Sequence, residues 1–171
     1  MINQHLERLE LVSPIIRQPV QRLFDLCEEK LKRKLLLVTG FRSVNEQLLK
    51  YAQGRTFNRE SGDWEVSDAK QVITNAKPGR SAHNLVTQAG VPASLAVDVI
   101  PFDGRGYVDW TPGETFWEAL YEIAWKVGLD PLGDPIGAYL AGDMGHFEEP
   151  GYTYKLDGLG LVQPTSEIQR V

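Results

Sequence analysis

Histidine and cysteine limit the chemistry that this chain can perform. It has three histidines, His5, His83 and His146, and one cysteine, Cys27, in 171 residues. A single cysteine excludes an intramolecular disulfide and a thiolate-rich zinc site. A metal centre would need histidine and carboxylate ligands, and a catalytic zinc site uses three of them and leaves a fourth position open. His83 and His146 with one carboxylate would meet that requirement, whereas His5 lies in a polar segment and is interpreted as solvated.

Asp98 is a candidate for that carboxylate, because it lies among apolar residues in the strand-like segment 95–99. An acidic side chain in such a place needs a partner, since the burial of an uncompensated charge is costly. A metal ion, an arginine or backbone N–H groups would each serve. Periodicity alone favours a salt bridge over a metal ligand for Asp98, and it favours a surface-loop position for His83.

A second carboxylate, Asp143, lies three residues before His146. This spacing could bring a general base within hydrogen-bond reach of a metal-activated water without using a coordination position. The pattern Asp-x-x-His is common, so it indicates little by itself. Glu148 follows the same histidine and is interpreted either as a partner of His146 or as an exposed charge.

The elements that must position these residues begin with an N-terminal helix. Ser13 followed by Pro14 is typical of an N-cap and a first helical position. Apolar residues then recur at helical spacing, which predicts a packed helix over about residues 14–33. Cys27 lies on this apolar stripe, and we interpret it as a small buried core residue.

A buried strand and a second helix are predicted next. Residues 35–39 are almost all apolar and predict the strand. Ser43 and Glu46 form a capping box, which predicts a helix over about residues 43–53 that stops at Gly54.

Two segments lack a clear pattern and are expected to be irregular. Residues 54–82 are rich in glycine, asparagine and charged residues and predict a long surface excursion, in which residues 72–74 could form a short strand. Residues 128–142 form a Gly- and Pro-rich loop.

The remaining elements decide the fold class. Residues 95–101 alternate as a strand does, an apolar helical stripe runs from Phe116 to Val127 and ends at Gly128, and residues 145–148 predict a short strand. Helices and strands follow in mixed order without repeated βαβ units. We therefore expect an α+β fold rather than a doubly wound α/β fold.

Size and charge restrict the classes of partner. A chain of 19.2 kDa with 42% hydrophobic residues fits one domain, and we expect a single domain over residues 1–171. The formal net charge of −5 argues against nucleic acid or an anionic membrane as the main partner. No apolar run is long enough to insert in a membrane, and no secretory signal pattern is present at the start.

Several of these residues belong to longer blocks that follow one another over about residues 36–149. The blocks are Gly40-Phe41-Arg42-Ser43, Gln47, Gln53-Gly54-Arg55-Thr56, Thr74-Asn75-Ala76-Lys77-Pro78-Gly79, Ser81-x-His83, Ala96-x-Asp98 and Asp143-x-x-His146-Phe147-Glu148. In this order they resemble the zinc-dependent D-alanyl-D-alanine carboxypeptidase family. That family includes VanY-type carboxypeptidases, D-Ala-D-Ala dipeptidases and phage L-alanyl-D-glutamate endolysins, and the upstream blocks resemble its endolysin-like branch.

The resemblance implies a hedgehog/DD-peptidase-like fold, in which a small mixed or antiparallel sheet packs with helices. It makes His83, Asp98 and His146 the ligands of one zinc ion per chain. Asp143 takes the position of the family's acidic general base.

Further residues take positions beside the substrate. Arg42 stands where the family's arginine stabilises the developing oxyanion or holds a carboxylate. Ser81 stands where a side chain binds substrate or orients a ligand. Gln47 and Arg55 are expected to brace the fold.

Two segments depart from the family pattern. Residues 84–97 separate the first histidine from the aspartate and indicate a longer loop before the strand. Residues 132–141 differ from the tryptophan- and glycine-rich run of the endolysin branch, which affects the substrate preference.

The activity that the resemblance implies is hydrolysis of an amide in a peptidoglycan stem peptide, with L-Ala–D-Glu favoured over D-Ala–D-Ala. Two alternatives stay open: a D-Ala-D-Ala carboxypeptidase or dipeptidase, and a non-catalytic wall-binding or virion module on the same fold. We expect a monomer without a separate wall-binding domain. We expect it to stay in the cytoplasm until a separate pore-forming protein releases it to the periplasm and cell wall.

Overall fold

Helices and short strands alternate along the chain without a repeated unit. The computed structural model describes residues 7–102, 107–132 and 144–164. In chain order the elements are α1 (Pro14–Leu26), β1 (Lys34–Thr39), α2 (Val44–Tyr51), β2 (Arg55–Asn58), β3 (Asp63–Val66), β4 (Val86–Thr87), β5 (Ala96–Phe102), α3 (Glu114–Val127), β6 (Asp130–Pro131), β7 (His146–Glu148), α4 (Leu156–Leu159) and β8 (Leu161–Val162). Short 3₁₀ turns lie at Ala69–Gln71, Ala82–Asn84 and Tyr152–Tyr154. In the described ranges we find no helix with the length and apolar character that a bilayer crossing requires.

The central sheet has the strand order β1–β5–β7–β6, and its three strand pairs are all antiparallel. β5 lies in the middle, with Asp98 opposite Thr39 of β1 on one side and His146 of β7 on the other. The expected α+β fold with a small antiparallel sheet is confirmed. The register also brings two of the predicted ligands directly opposite each other.

The N-terminal helix begins as the sequence predicts. The Ser13 side chain accepts a hydrogen bond from the N–H of Ile15, and Pro14 occupies the first helical turn. The helix differs at its other end, because α-helical bonding stops at Leu26 and a π-helical turn continues over Cys27–Leu31. Cys27 is buried, and this burial raises the pKa of its thiol to about 12. It is an inert core residue, as expected.

The core lies between α1, α3 and one face of the sheet. α3 buries a stripe that includes Trp117, Leu120 and Tyr121, and it ends at Gly128 in the left-handed conformation, at φ 89°. Trp125 lies off this stripe and stays 58% exposed. The predicted helix and its glycine stop are both confirmed.

The surface excursion is more ordered than the sequence suggests. β2 and β3 pair as an antiparallel hairpin, with Phe57 opposite Trp64. The short strand that residues 72–74 could form does not appear, and that prediction is wrong: Val72 is extended, but residues 72–74 pair with no strand and Ile73 is 52% exposed. Their β-branched side chains line a cleft instead of a sheet.

The long connection before β5 is itself a small folded unit. β4 is followed by a turn in which the N–H of Gly90 donates to the carbonyl of Thr87, and the N–H of Ala93 donates to the carbonyl of Leu85. β4 also pairs with β8, so the connection anchors the C-terminal part of the described chain.

Candidate metal centre

Three side chains that are distant in sequence converge at one end of the sheet. His83 comes from the 3₁₀ turn Ala82–Asn84, Asp98 from β5 and His146 from β7. Asp98 Oδ1 lies 3.0 Å from His83 Nε2 and 3.0 Å from His146 Nδ1, and the two nitrogens are 3.2 Å apart. Each residue offers one potential ligand atom to this group. The three residues that the resemblance assigned to a metal therefore form one cluster.

β7 reaches this position because a glycine precedes it. A Cβ atom on Gly145 would collide with the carbonyl oxygen of Val99, whose own N–H donates to the carbonyl of Gly145 at 2.9 Å. Only a residue without a side chain permits this approach of the two backbones. The close contact fixes the position of His146 against Asp98.

His83 is held from both sides of its short turn. The Ser81 hydroxyl accepts a hydrogen bond from the N–H of His83, and the Asn84 side chain accepts from the N–H of Ser81. Asn84 also donates to the carbonyl of Arg42 at 2.8 Å, and the N–H of Arg42 donates to the carbonyl of His83 at 2.9 Å. Ser81 thus positions the turn that carries the histidine.

Each imidazole has a partner on the side opposite the cluster. His83 Nδ1 lies 2.6 Å from the carbonyl oxygen of Gly40, and His146 Nε2 lies 3.2 Å from Glu148 Oε2. Because a carbonyl or carboxylate oxygen can only accept, these two nitrogens carry the protons of neutral rings. His83 Nε2 and His146 Nδ1 then present lone pairs to the cluster, as metal-binding histidines do.

The cluster therefore brings three electron-pair donor atoms together, and none of these three atoms carries a proton. Such a group is self-repulsive unless a cation neutralises it. Zinc bonds of about 2.0–2.1 Å in tetrahedral geometry would separate ligand atoms by roughly 3.3 Å, close to the separations observed. Two imidazole nitrogens and one carboxylate oxygen form the donor set of a catalytic zinc site, so the residues present fit this metal.

Asp98 forms the salt bridge that the sequence favoured and also offers an oxygen to the cluster. Burial acts to raise its pKa, but in the absence of a metal ion, when His83 and His146 are protonated, their charges and hydrogen bonds outweigh burial and hold this pKa well below the usual range. Its second oxygen, Oδ2, accepts from Arg42 Nη2 at 3.0 Å. The carboxylate therefore stays ionised, with one oxygen for the arginine and one for the cluster.

Arg42 is 8% exposed and is itself braced. Its Nη1 donates to Gln47 Oε1 at 2.8 Å, and Gln47 Nε2 donates to the carbonyl of Ala76 at 2.8 Å. Gln47 acts as the brace that was expected. Arg55 braces α2 in a similar way, since it donates to the carbonyl of Tyr51 and lies over that ring at 4.1 Å.

Three other assignments concern residues outside the described part of the chain. The expected base Asp143, the solvated His5 and most of the segment 132–141 lie there, and the structure says nothing of them.

The cluster forms the floor of a cleft of about 580 Å³. Its walls include residues 72–76, Leu132 and Tyr152, and both Lys50 and Arg80 reach it. Burial, followed by the charge of Glu148, raises the pKa of Tyr152 to about 12, so this phenol keeps its proton. An extended polar ligand could enter the cleft and reach the three donor atoms.

Some functional candidates were not identified from the sequence. The role of Glu148 was left open, although its place two residues after a ligand on the same strand puts both side chains on one face. Tyr152 and Lys50 carried no signal in the sequence, because their approach to the cleft depends on the tertiary fold.

Comparisons with known proteins identify the fold. No protein-family profile matches the chain, and no curated protein matches it by sequence. A mutant of the vancomycin resistance D,D-pentapeptidase VanY from the VanB-type cassette, solved in complex with Zn(II), superposes with a TM-score of 0.54 and 18% identity over 86% of this chain and 78% of that one. VanYB in complex with D-alanine-D-alanine gives 0.54 and 19% identity over 87% of this chain and 78% of that one.

A third similar structure has a different activity in its description. The L-Ala D-Glu endopeptidase ChiX of Serratia marcescens superposes with a TM-score of 0.50 and 17% identity over 88% of this chain and 89% of that one. At these identities the likeness establishes the fold. The DD-peptidase-like architecture implied by the ordered sequence blocks is thereby confirmed.

Proposed function

We propose that this chain is a zinc-dependent peptidase that hydrolyses an amide of the peptidoglycan stem peptide, with the L-Ala–D-Glu bond favoured. The observation that carries the proposal is the convergence of His83 Nε2, Asp98 Oδ1 and His146 Nδ1, each oriented by a partner on its far side. The similar structures support it, since one is a D,D-pentapeptidase in complex with Zn(II) and another is an L-Ala D-Glu endopeptidase.

When bound, zinc supplies a Lewis acid that polarises the scissile carbonyl and acidifies a water molecule. The residues of the chain provide the rest of the chemistry. Gly40 and Glu148 keep the protons of the two imidazoles on the far nitrogens, so that the near nitrogens stay available. Arg42 donates to Oδ2 of Asp98, which leaves Oδ1 directed to the cluster.

Proton transfer and oxyanion stabilisation need two further groups. We assign proton transfer to Asp143, which by resemblance would accept the proton of the attacking water and return it to the leaving amine. Arg42 uses two N–H donors on Asp98 and Gln47. Its remaining donors could stabilise the developing oxyanion or hold a substrate carboxylate, since Arg42 lines the cleft. Ser81 would orient His83 or contact the substrate.

A D-Ala-D-Ala carboxypeptidase or dipeptidase is the second candidate. The two VanY structures support it, since one is a D,D-pentapeptidase and the other is in complex with D-alanine-D-alanine. A non-catalytic wall-binding or virion module is disfavoured, because the three donor side chains are all present and oriented. The two enzymatic candidates differ in the bond that is cut, and product analysis separates them.

The biological setting remains part of the proposal. An endolysin-type role, a monomeric state with one zinc ion, and release by a separate pore-forming protein all derive from the sequence resemblance.

Mass spectrometry of isolated sacculi digested with the purified protein tests the proposal. We expect new N-terminal D-glutamyl ends, their loss with a chelator, their return with added zinc, and their absence with His146→Ala. Release of D-alanine would support the second candidate instead. Unchanged cleavage with the chelator, or full activity of His146→Ala, would contradict the assignment.

A further inference from the structure

The cleft does not end at the proposed zinc ligands. A second cavity of about 400 Å³ adjoins it, and both Arg42 and Lys50 line the two cavities. The second cavity continues along the end of β1, past Val38 and Thr39, towards Arg8. The two cavities together are called the groove below. Lys50 therefore lines a cavity on each of its two sides.

Lys50 lacks the partner that its helix would normally provide. Glu46 lies one turn earlier on α2, at the i,i+4 spacing that favours an ion pair. The Glu46 carboxylate is instead held by Ser43, whose N–H and hydroxyl both donate to Glu46 Oε2 at 2.7 Å. Among the residues that the structure describes, no side chain or backbone oxygen bonds the ammonium group of Lys50, although the residue is half-buried. The capping box thus leaves a cation free at the junction of the two cavities.

The acidic groups of the groove are already engaged. Asp98 bonds Arg42, Glu148 contacts His146, and Glu46 is held by its cap. Arg80 uses one of its N–H groups on Gln163 at 2.5 Å and keeps others. The chain as a whole has a net charge of −5, so a groove whose unpaired groups are cationic is complementary to an anionic ligand.

We propose that Lys50 binds a carboxylate that lies inside an acidic peptide, next to the amide to be cleaved, and thereby determines specificity. This inference rests on the proposed function and adds the chemistry of the substrate to it. In a stem peptide in which D-glutamate is linked through its side-chain carboxyl group, the α-carboxylate stays free at that position. The open groove beyond Lys50 favours an internal carboxylate over a chain terminus, which would need no room past the cation.

Two synthetic stem peptides test this specificity. They are identical except that D-glutamate carries either a free α-carboxylate or a carboxamide at that position. We expect the zinc-loaded wild-type protein to have a KM about tenfold lower for the acid, the size expected of one charge-assisted hydrogen bond. Lys50→Met should remove this discrimination, with the change mainly in KM, and Lys50→Arg should restore most of it. Lys30→Met, an exposed helical lysine outside the groove, is the matched control.

The outcomes separate this inference from the proposed function. Zinc-dependent cleavage with equal KM for acid and amide in the wild type, or unchanged discrimination in Lys50→Met, overturns the role of Lys50 and leaves the peptidase standing. If neither peptide is cleaved, the proposed function fails. The role of Lys50 is then tested by calorimetry, in which the acid peptide should bind with a dissociation constant about tenfold lower than that of the amide peptide. A third peptide has its only carboxylate at a D-Ala-D-Ala terminus. If Lys50→Met raises KM for this peptide alone, the carboxylate that Lys50 binds is not an internal one. Melting curves by circular dichroism verify that each variant is folded.

Discussion

The floor and the rim of the cleft are built in different ways. The floor consists of His83, Asp98 and His146, and each of these side chains has one atom in the cluster and a partner outside it. The rim consists of residues 72–76, which line the cleft, together with the hairpin β2–β3 that is bonded to them through Arg55 and Asn75. Val66 and Ile73 are more than half exposed there, and the hairpin is tied back by the exposed pair Lys77–Asp63 and by bonds of Arg55.

This difference corresponds to two physical requirements. Ligand atoms must be placed to within tenths of an ångström, so the floor is held by backbone carbonyls, a buried arginine and sheet register. A rim that contacts a polymeric substrate needs only a shape and charge complementary to it. Exposed loop residues can provide both. We therefore expect substitutions in the floor to change chemistry strongly and substitutions in the rim to change it little.

The largest effect is expected from Asp98→Ala, which removes one donor of the floor and the partner of Arg42. Affinity for zinc, measured by competition with a chelator, should fall by more than the roughly 10–100-fold typical for loss of an outer partner of a ligand. Hydrolysis of sacculi should fall below detection. Asp25→Ala, an exposed aspartate on α1, serves as the control and should retain both properties. Retained zinc affinity in Asp98→Ala would show that the floor is not the metal site.

A smaller effect is expected from Glu148→Gln, which tests the outer partner of His146. The amide can no longer act as an anionic acceptor for the imidazole N–H, so zinc affinity should decrease by about 10–100-fold while the fold persists. Glu149→Gln is a matched control, because its neighbouring carboxylate pairs with Lys155 and not with a ligand. Equal affinities of the two variants would remove Glu148 from the site.

A still smaller effect is expected from Ser43→Ala at the start of α2, between floor and rim. Loss of this cap should lower the free energy of unfolding by about 1 kcal/mol near pH 7. Hydrogen bonds from the Ser43 side chain and backbone lower the pKa of Glu46, so this part of the stability exists above the ordinary glutamate pKa and is lost as pH falls through the folded-state value. The difference between wild type and variant, measured by urea unfolding, should therefore shrink below about pH 4. A difference that grows in acid would contradict the capping box.

The smallest effect is expected from Asp63→Asn in the rim, which breaks the exposed pair with Lys77. Surface ion pairs are screened by solvent and contribute little. The melting temperature and the rate of sacculus hydrolysis should stay within experimental error of the wild type. A clear loss of either would mean that the rim is as tightly determined as the floor.

The sequence predicted the elements that have local signals better than the elements that lack them. α1, α2 and α3 were identified from caps and apolar stripes, because these signals are local. The β2–β3 hairpin was missed because its strands are short and polar, and residues 72–74 were mistaken for a strand because β-branched residues can also line a cleft. The π-helical end of α1 has no local signal that we recognise.

The candidate site was predicted by resemblance rather than by physics. Spacing alone cannot bring His83 to Asp98 across residues 84–97, because the fold of that connection depends on β8, far along the chain. Spacing also could not show that Asp98 serves an arginine and two histidines at once. The free ammonium of Lys50 depends on a rotamer of Glu46, which no sequence pattern specifies.

X-ray absorption at the zinc edge of the purified, zinc-loaded protein tests the central claim most directly. We predict one zinc ion per chain, bound by nitrogen and oxygen atoms at about 2.0–2.1 Å with the scattering of two imidazoles and without sulfur. A shell with a sulfur ligand, which only Cys27 or a methionine could supply, an all-oxygen shell, or the failure to retain zinc would contradict the account.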